Sequence, residues 1–317
     1  MSTTIRVAGI SKSFGPVKAV NRLSFEVSSG QVLGFIGANG AGKTTAMRIM
    51  CTLELPDEGF VEICGCNVME NPAKARRRLG WMPDAYGSYT AVSVWEYLDF
   101  FGRAYGFRRA ELKRRVDEVM AFTALDVIAD QAAAKLSKGQ KQRLCLGRTL
   151  IPDPEVLVLD EPAAGLDPKA RIEFKNLVRL LAATGKTLFI SSHILSELEE
   201  MCDSLLFIDA GSLVHHGSSE KLKQREGSPV LVRIGIDAPL DPLAEWVALY
   251  PGIECYDRAR NGNLRIRVED GSPACLAAIL RAILQAGFPV CDFHREDIRL
   301  EDAFVDMLSK TGAPHAH

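Results

Sequence analysis

Residues 37–44 read Gly37-Ala38-Asn39-Gly40-Ala41-Gly42-Lys43-Thr44, the spacing G-x-x-x-x-G-K-[ST] of a loop that wraps phosphates. The glycines let backbone N–H groups converge on an anion, and a helix opening at the end of the loop adds a favourable dipole. In such a loop Lys43 reaches the β- and γ-phosphates of a nucleoside triphosphate, and the Thr44 hydroxyl ligates Mg²⁺. Thr45 is placed to donate to the α-phosphate. This pattern implies nucleotide binding and names no reaction. Asp160-Glu161, after the apolar run Val156-Leu157-Val158-Leu159, supplies one. An acid at that point holds Mg²⁺ through water, and the next acid can polarise an attacking water. Two acids at a strand end say little alone; beside a phosphate loop they say hydrolysis.

A third motif, Leu136-Ser137-Lys138-Gly139-Gln140, precedes a helical run expected over 141–150. Ser137 suits the cap of that helix and leaves N–H groups for an anion. In isolation this pentapeptide reads as a capped helix with no ligand.

With the three motifs in this order, the chain resembles the ATP-binding-cassette (ABC) ATPases, whose signature loop reads L-S-G-G-Q. Lys138 stands where that family usually has Gly and puts a positive charge near where a γ-phosphate would sit. The resemblance runs through most of residues 4–220. It implies that Ser137, Gly139 and Gln140 contact ATP and that Phe14 stacks on the adenine. It matches Ala164-Gly165-Leu166-Asp167 to the D-loop, with Asp167 near nucleotide. It makes His193, in Ser191-Ser192-His193, the switch histidine on the γ-phosphate, and Glu161 the residue that activates water. The family usually places Gln after a strand between the phosphate loop and the helical insert. Here Leu79-Gly80-Trp81-Met82-Pro83-Asp84 puts Asp84 there. Asp84 keeps a metal role beside Thr44 and Asp160, but it cannot donate an amide hydrogen bond. A purely structural Asp84, in a turn after Pro83, competes with that role.

These residues need strands that deliver them to one edge of a sheet. Val32-Leu33-Gly34-Phe35-Ile36 runs into the phosphate loop, Val156–Leu159 ends at Asp160, and Thr187-Leu188-Phe189-Ile190 ends before His193. In open α/β sheets, ligands bind outside the carboxyl ends of such strands. Helical spacing replaces strand signals in an insert over about 86–137. The expected fold is therefore α/β: a P-loop ABC ATPase domain over 1–220 with a helical insert, a connector at 221–229, and a small C-terminal α+β unit over 230–310. The order βαββαβ of that last unit, with a final helix over 300–308, suggests a ferredoxin-like split fold. Residues 311–317 read as a disordered tail.

Composition narrows the partners. Lys plus Arg number 38 against 40 Asp plus Glu, a formal net charge of −2, which gives no global attraction to nucleic acid or acidic lipid. No run of about 18 apolar residues spans a bilayer, so a membrane role must come through a partner. Of eight cysteines, only Cys64 and Cys66 are close together, and the chain reads as the product of a reducing compartment. Each motif occurs once, and the family completes each ATP site from two cassettes, so the resemblance implies a homodimer or heterodimer. The segment Arg299-Leu300-Glu301-Asp302-Ala303-Phe304 resembles tails of exporter ATPases paired with ABC-2-type permeases. That resemblance implies a cytoplasmic subunit, peripheral on the inner face of the cell membrane, whose permease contact falls in residues 83–97. Two other readings remain: a soluble cassette ATPase acting on ribosomes or DNA, and a regulatory protein that binds ATP without hydrolysis. Neither a second cassette nor a long coiled-coil insert is present in the sequence, and intact Asp160, Glu161 and His193 oppose the second reading.

Overall fold

The computed structural model describes residues 2–84, 87, 91–199, 201–218, 230–259 and 263–296. The expected connector at 221–229, the last helix at 300–308, the tail at 311–317 and the expected start of the insert at 86 lie outside the described residues. The chain divides into two compact units, Met1–Ser218 and Ser219–His317.

In the first unit, β1 (Thr3–Phe14) and β2 (Val17–Ser28) form a long antiparallel hairpin, joined by β4 (Glu58–Ile63) and β5 (Cys66–Asn67) in the order β2-β1-β4-β5. This sheet packs its apolar residues, Ile5, Val7, Leu23, Phe25 and Val61, into a core shared with the central sheet. The central sheet has the order β10-β9-β3-β8-β7-β6. Its strands are β3 (Val32–Ile36), β6 (Leu79–Met82), β7 (Val156–Leu159), β8 (Thr187–Ser192), β9 (Ser204–Asp209) and β10 (Ser212–Gly217). All neighbours are parallel except β9 and β10. Strands β3, β7 and β8 are buried at every position, as parallel strands covered on both faces must be. Phe189 of β8 sits at the centre, stacked on Phe25 with ring centroids 5.3 Å apart and tilted against Phe35 at 5.1 Å.

The helices of this unit are α1 (Lys43–Met50), α2 (Pro72–Arg78), α3 (Val94–Ala104), α4 (Arg109–Thr123), α5 (Lys138–Leu150), α6 (Pro168–Ala183) and α7 (Leu195–Glu199). Ser93 starts α3 with a reciprocal cap: its hydroxyl accepts from Glu96 N, and the Glu96 carboxylate accepts from Ser93 N. Helices α3 and α4, with two short 3₁₀ turns, make up the described part of the insert. Helix α5 begins at Lys138, three residues before the expected run, so Lys138, Gly139 and Gln140 form its first turn.

The second unit runs β11 (Val230–Ile236), α8 (Leu240–Ala248), β12 (Ile253–Ala259), β13 (Asn263–Val268), α9 (Pro273–Gln285) and β14 (Val290–Glu296). Its sheet is fully antiparallel in the order β12-β13-β11-β14, the strand arrangement of a split βαβ repeat. Val232, Ile234, Leu264 and Ile266 of the sheet share a core with Leu243, Val247, Ile279 and Ile283 of the helices.

Phe189→Ala should lower the unfolding free energy by about 3–5 kcal/mol, because Phe25 and Phe35 both lose the ring they pack against. Denaturant titration of the purified protein measures this; a change below about 1 kcal/mol would place the centre of the core elsewhere.

Candidate active site

Strands β3, β8, β7 and β6 are neighbours in that order, and their carboxyl ends carry the phosphate loop, His193, Asp160-Glu161 and Asp84. The loop turns into α1 at Gly42, whose φ is +101°. A Cβ at Gly42 would collide with the Ala19 carbonyl oxygen, so this position requires glycine for both conformation and space. Lys43 is buried, and its Nζ donates to the carbonyls of Gly37 at 2.7 Å and Ala38 at 3.3 Å. The same Nζ lies 3.7 Å from Glu161 Oε1.

Asp160 is 2% exposed, and both of its carboxylate oxygens accept hydrogen bonds. Thr44 Oγ1 donates to Oδ2 at 3.0 Å and Ser191 Oγ donates to Oδ1 at 2.6 Å. Burial pushes the Asp160 carboxyl above the ordinary aspartate range; the two hydroxyls oppose that rise, and the charges of Glu161 and Asp84 add to it. Ser191 also accepts from Glu161 N at 2.8 Å. Glu161 has φ +49°, an uncommon backbone state for a residue with a side chain. Its Oε2 lies 2.8 Å from His193 Nδ1, a bond in which the carboxylate accepts, so Nδ1 carries the proton and Nε2 is left for another partner.

Lys43, Thr44, Asp84, Asp160, Glu161 and His193 line a cleft of about 380 Å³ together with Ala38, Asn39, Gly40, Gly42 and Thr45, and Ser191 stands behind them. Ala19 and Ala164 also line it. Gly37 and Ala41 do not, although the Gly37 carbonyl anchors Lys43. Phe14, Ser137, Gly139, Gln140 and Asp167 are not part of this lining either. Phe14 is half exposed, with Lys12 Nζ 5.5 Å from its ring centroid. Ser137 and Gln140 cap α5 reciprocally, at 3.2 Å and 2.9 Å. Asp167 Oδ1 accepts from Ala170 N at 2.9 Å and caps α6. The Lys138 ammonium lies against Gly165 of its own chain, where it would collide with any Cβ.

Nod factor export ATP-binding protein I of Ralstonia nicotianae is 35% identical to this chain over 314 residues, covering 96% of this chain and 94% of the relative. The chain belongs to the ATP-binding subunits of ABC transporters. A family profile described as ABC transporter matches residues 20–164. The ABC transporter ATP-binding protein NatA of Bacillus subtilis is 34% identical over 213 residues, covering 67% of this chain and 87% of that protein. Among solved structures, an ATP-binding subunit of an ABC transporter superposes with a TM-score of 0.63 at 28% identity, covering 70% of this chain and 92% of that one. An ATP-binding cassette in its ADP conformation gives 0.63 at 26% identity, over 70% and 93%. This ABC subunit is thus an ATPase of the P-loop cassette fold, a family whose solved members bind nucleotide.

In the sequence Ser191 is marked only as a neighbour of His193, yet it is fully buried and bonds both the Asp160 carboxylate and the Glu161 N–H. A hydroxyl closing an apolar strand beside two acids was the available signal. Ser191→Ala strands a buried N–H and a carboxylate oxygen, so stability should fall by about 1–3 kcal/mol and ATP turnover by about 10-fold or more. Denaturation and phosphate-release assays check both; unchanged turnover would reduce Ser191 to a packing residue.

Burial raises the Asp160 pKa, so the folded state holds that proton more tightly than the unfolded chain does. Stability then declines as pH rises from the unfolded value through the folded one, and at neutral pH the charge opposes folding. Asp160→Asn should therefore raise the melting temperature of the nucleotide-free protein at pH 7 while abolishing ATP turnover. A lower melting temperature would mean that the two hydroxyls already offset the burial.

Proposed function

We propose that this chain is the ATP-hydrolysing subunit that powers export through separate ABC-2-type membrane permease subunits, working as a pair with a second ATP-binding subunit on the cytoplasmic face of the membrane. The observation that carries the hydrolytic part is the position of Glu161, with His193 at 2.8 Å on one oxygen and Lys43 at 3.7 Å on the other. A carboxylate so bracketed can accept a proton from water, while the lysine and histidine meet the charge of a terminal phosphate.

In this reading Lys43 and the loop N–H groups hold the β- and γ-phosphates, and Thr45 donates to the α-phosphate. Thr44, Asp160 and Asp84 are hard oxygen donors that would suit Mg²⁺. Bound there, the ion would neutralise phosphate charge. Asp160 suits that role because burial disfavours its own anion, so a cation is welcome beside it. Phe14, half exposed, offers a ring to the adenine.

Pairing is supported by the residues outside the lining. Ser137, Gly139, Gln140 and Asp167 sit at the starts of α5 and α6, and in this reading they serve the nucleotide of the second subunit. Nothing in this reading requires nucleic acid. Among the described residues no helix is long and apolar enough to cross a membrane, so the permease supplies the spans. Export is supported by the Ralstonia relative, named for Nod factor export, which matches along nearly the whole chain. The cargo of this chain would be recognised mostly in the permease.

Glu161→Gln should bind ATP as the wild type does and lose turnover by about 10²-fold or more. A variant with undiminished turnover would remove Glu161 as the base. For the transport part, a neighbouring reading frame should encode a membrane permease, and co-expression with it should give a co-purifying complex. Its ATPase rate should differ from that of the subunit alone, and a neighbouring frame without spans of about 20 apolar residues would count against a permease partner.

A further inference from the structure

Glu197 of α7 lies four residues after His193 with its side chain only 3% exposed, and no step above uses it. A carboxylate buried that far from water is costly unless paired. Its partner is Arg171 of α6, whose Nε lies 3.1 Å from Glu197 Oε1. The two meet as charges rather than as an aligned hydrogen bond. The other oxygen, Oε2, accepts from Ser192 Oγ at 3.1 Å, and Ser192 Oγ accepts from Ile194 N at 3.0 Å. Ser192 and Ile194 flank His193, so the carboxylate grips the turn that presents the histidine. At its far end Arg171 Nη2 donates to the Leu166 carbonyl at 3.4 Å, inside the loop 164–167. One ion pair, buried at its Glu197 end and partly exposed at Arg171, therefore ties that loop to the switch turn, and neither residue lines the cleft.

We propose that Arg171 and Glu197 are positioning residues for hydrolysis, which hold the His193 turn in register with the 164–167 loop so that His193 stays on Glu161. The inference rests on the reading that His193 and Glu161 act on ATP. Through the pair, a displacement of the 164–167 loop reaches His193 without passing through the nucleotide.

The test compares wild type with Arg171→Met, Glu197→Gln and the double variant Arg171→Met/Glu197→Met, by steady-state ATPase kinetics, binding of a fluorescent ATP analogue and thermal unfolding. In the single variants kcat should fall about 10-fold while the analogue's Kd stays within about 2-fold. The double variant leaves no buried charge unpaired, so it should unfold near the wild-type temperature yet keep the low kcat. A folded double variant with wild-type kcat overturns the proposal, as does a parallel loss of binding and turnover. If the single variants do not fold, the double variant decides. If it also fails to fold, the pair serves the fold rather than the switch, and the proposal falls. Failure of the underlying reading is distinguishable, because it appears as undiminished turnover in Glu161→Gln, a residue outside this pair.

Discussion

Asp160 places a negative charge at the end of a strand buried on both faces, and the site is organised around keeping it there. A lone buried carboxylate would take up a proton or unfold the strand end. Thr44 and Ser191 prevent this by donating to its two oxygens. Thr44 comes from the first turn of α1, at the end of the loop that follows β3, and Ser191 comes from β8, while Asp160 itself follows β7. The parallel register aligns Ile36 with Ser192 and Leu159 with Ile190, so Asp160 and Ser191 emerge at one level of the sheet, beside the strand end from which the phosphate loop leads to Thr44. The placing of Ser191 against Asp160 is thus set by backbone pairing between two fully buried strands. What the hydroxyls do not offset remains as a raised pKa, the electrostatic mark of a place that favours a cation.

The same constraint shapes Glu161. The chain must turn sharply after Asp160, and it does so with Glu161 at φ +49°, a state that costs about 1 kcal/mol or more without glycine. The Ser191 hydroxyl accepts the Glu161 N–H, so one side chain fixes both the first acid and the backbone of the second. The turn aims the Glu161 carboxylate away from the strand and between Lys43 and His193. Relaxing it to an ordinary conformation would swing the carboxylate off both partners. Strain at this residue is therefore part of how the site holds its shape.

Much of this was legible in the sequence for physical reasons. The phosphate loop tolerates few residue types, and Gly42 shows why, since neither its φ nor the Ala19 carbonyl leaves room for a side chain. Strands β3 and β7 appeared as unbroken apolar runs because both faces are covered. The hairpin of β1 and β2 was not legible. Its pairing shifts register repeatedly, between Thr3 and Ile5, Val7 and Ile10, and Ile10 and Lys12, and each shift breaks the period-two pattern that marks a strand. The start of α5 is likewise not legible, because Lys138-Gly139-Gln140 carries no apolar periodicity. The reciprocal cap between Ser137 and Gln140 decides that start instead. Ser191 was hidden by its own strand, where a serine reads as a flank until its two partners are seen in space.

The residues that stay out of the cleft are arranged no less deliberately. Helices α5 and α6 begin side by side. A Cβ on Gly139 would sit 3.0 Å from Ala170 Cβ, Arg143 pairs with Glu173, and Lys138 lies on Gly165. Each helix opens with a capped N-terminus and has no acid in its first turn. The α6 end carries the carboxylate of its Asp167 cap, whereas the α5 end has a neutral cap and a lysine at its first position, where a cation is ordinarily disfavoured. Within one subunit that lysine at the α5 end opposes folding slightly. On the proposed pairing it faces the terminal phosphate held by Lys43 of the other subunit, and the repulsion becomes attraction once the nucleotide arrives. The contact of Lys138 with Gly165 then gives the signature loop and the 164–167 loop a common response to that phosphate. A glycine at position 138 could not supply that contact.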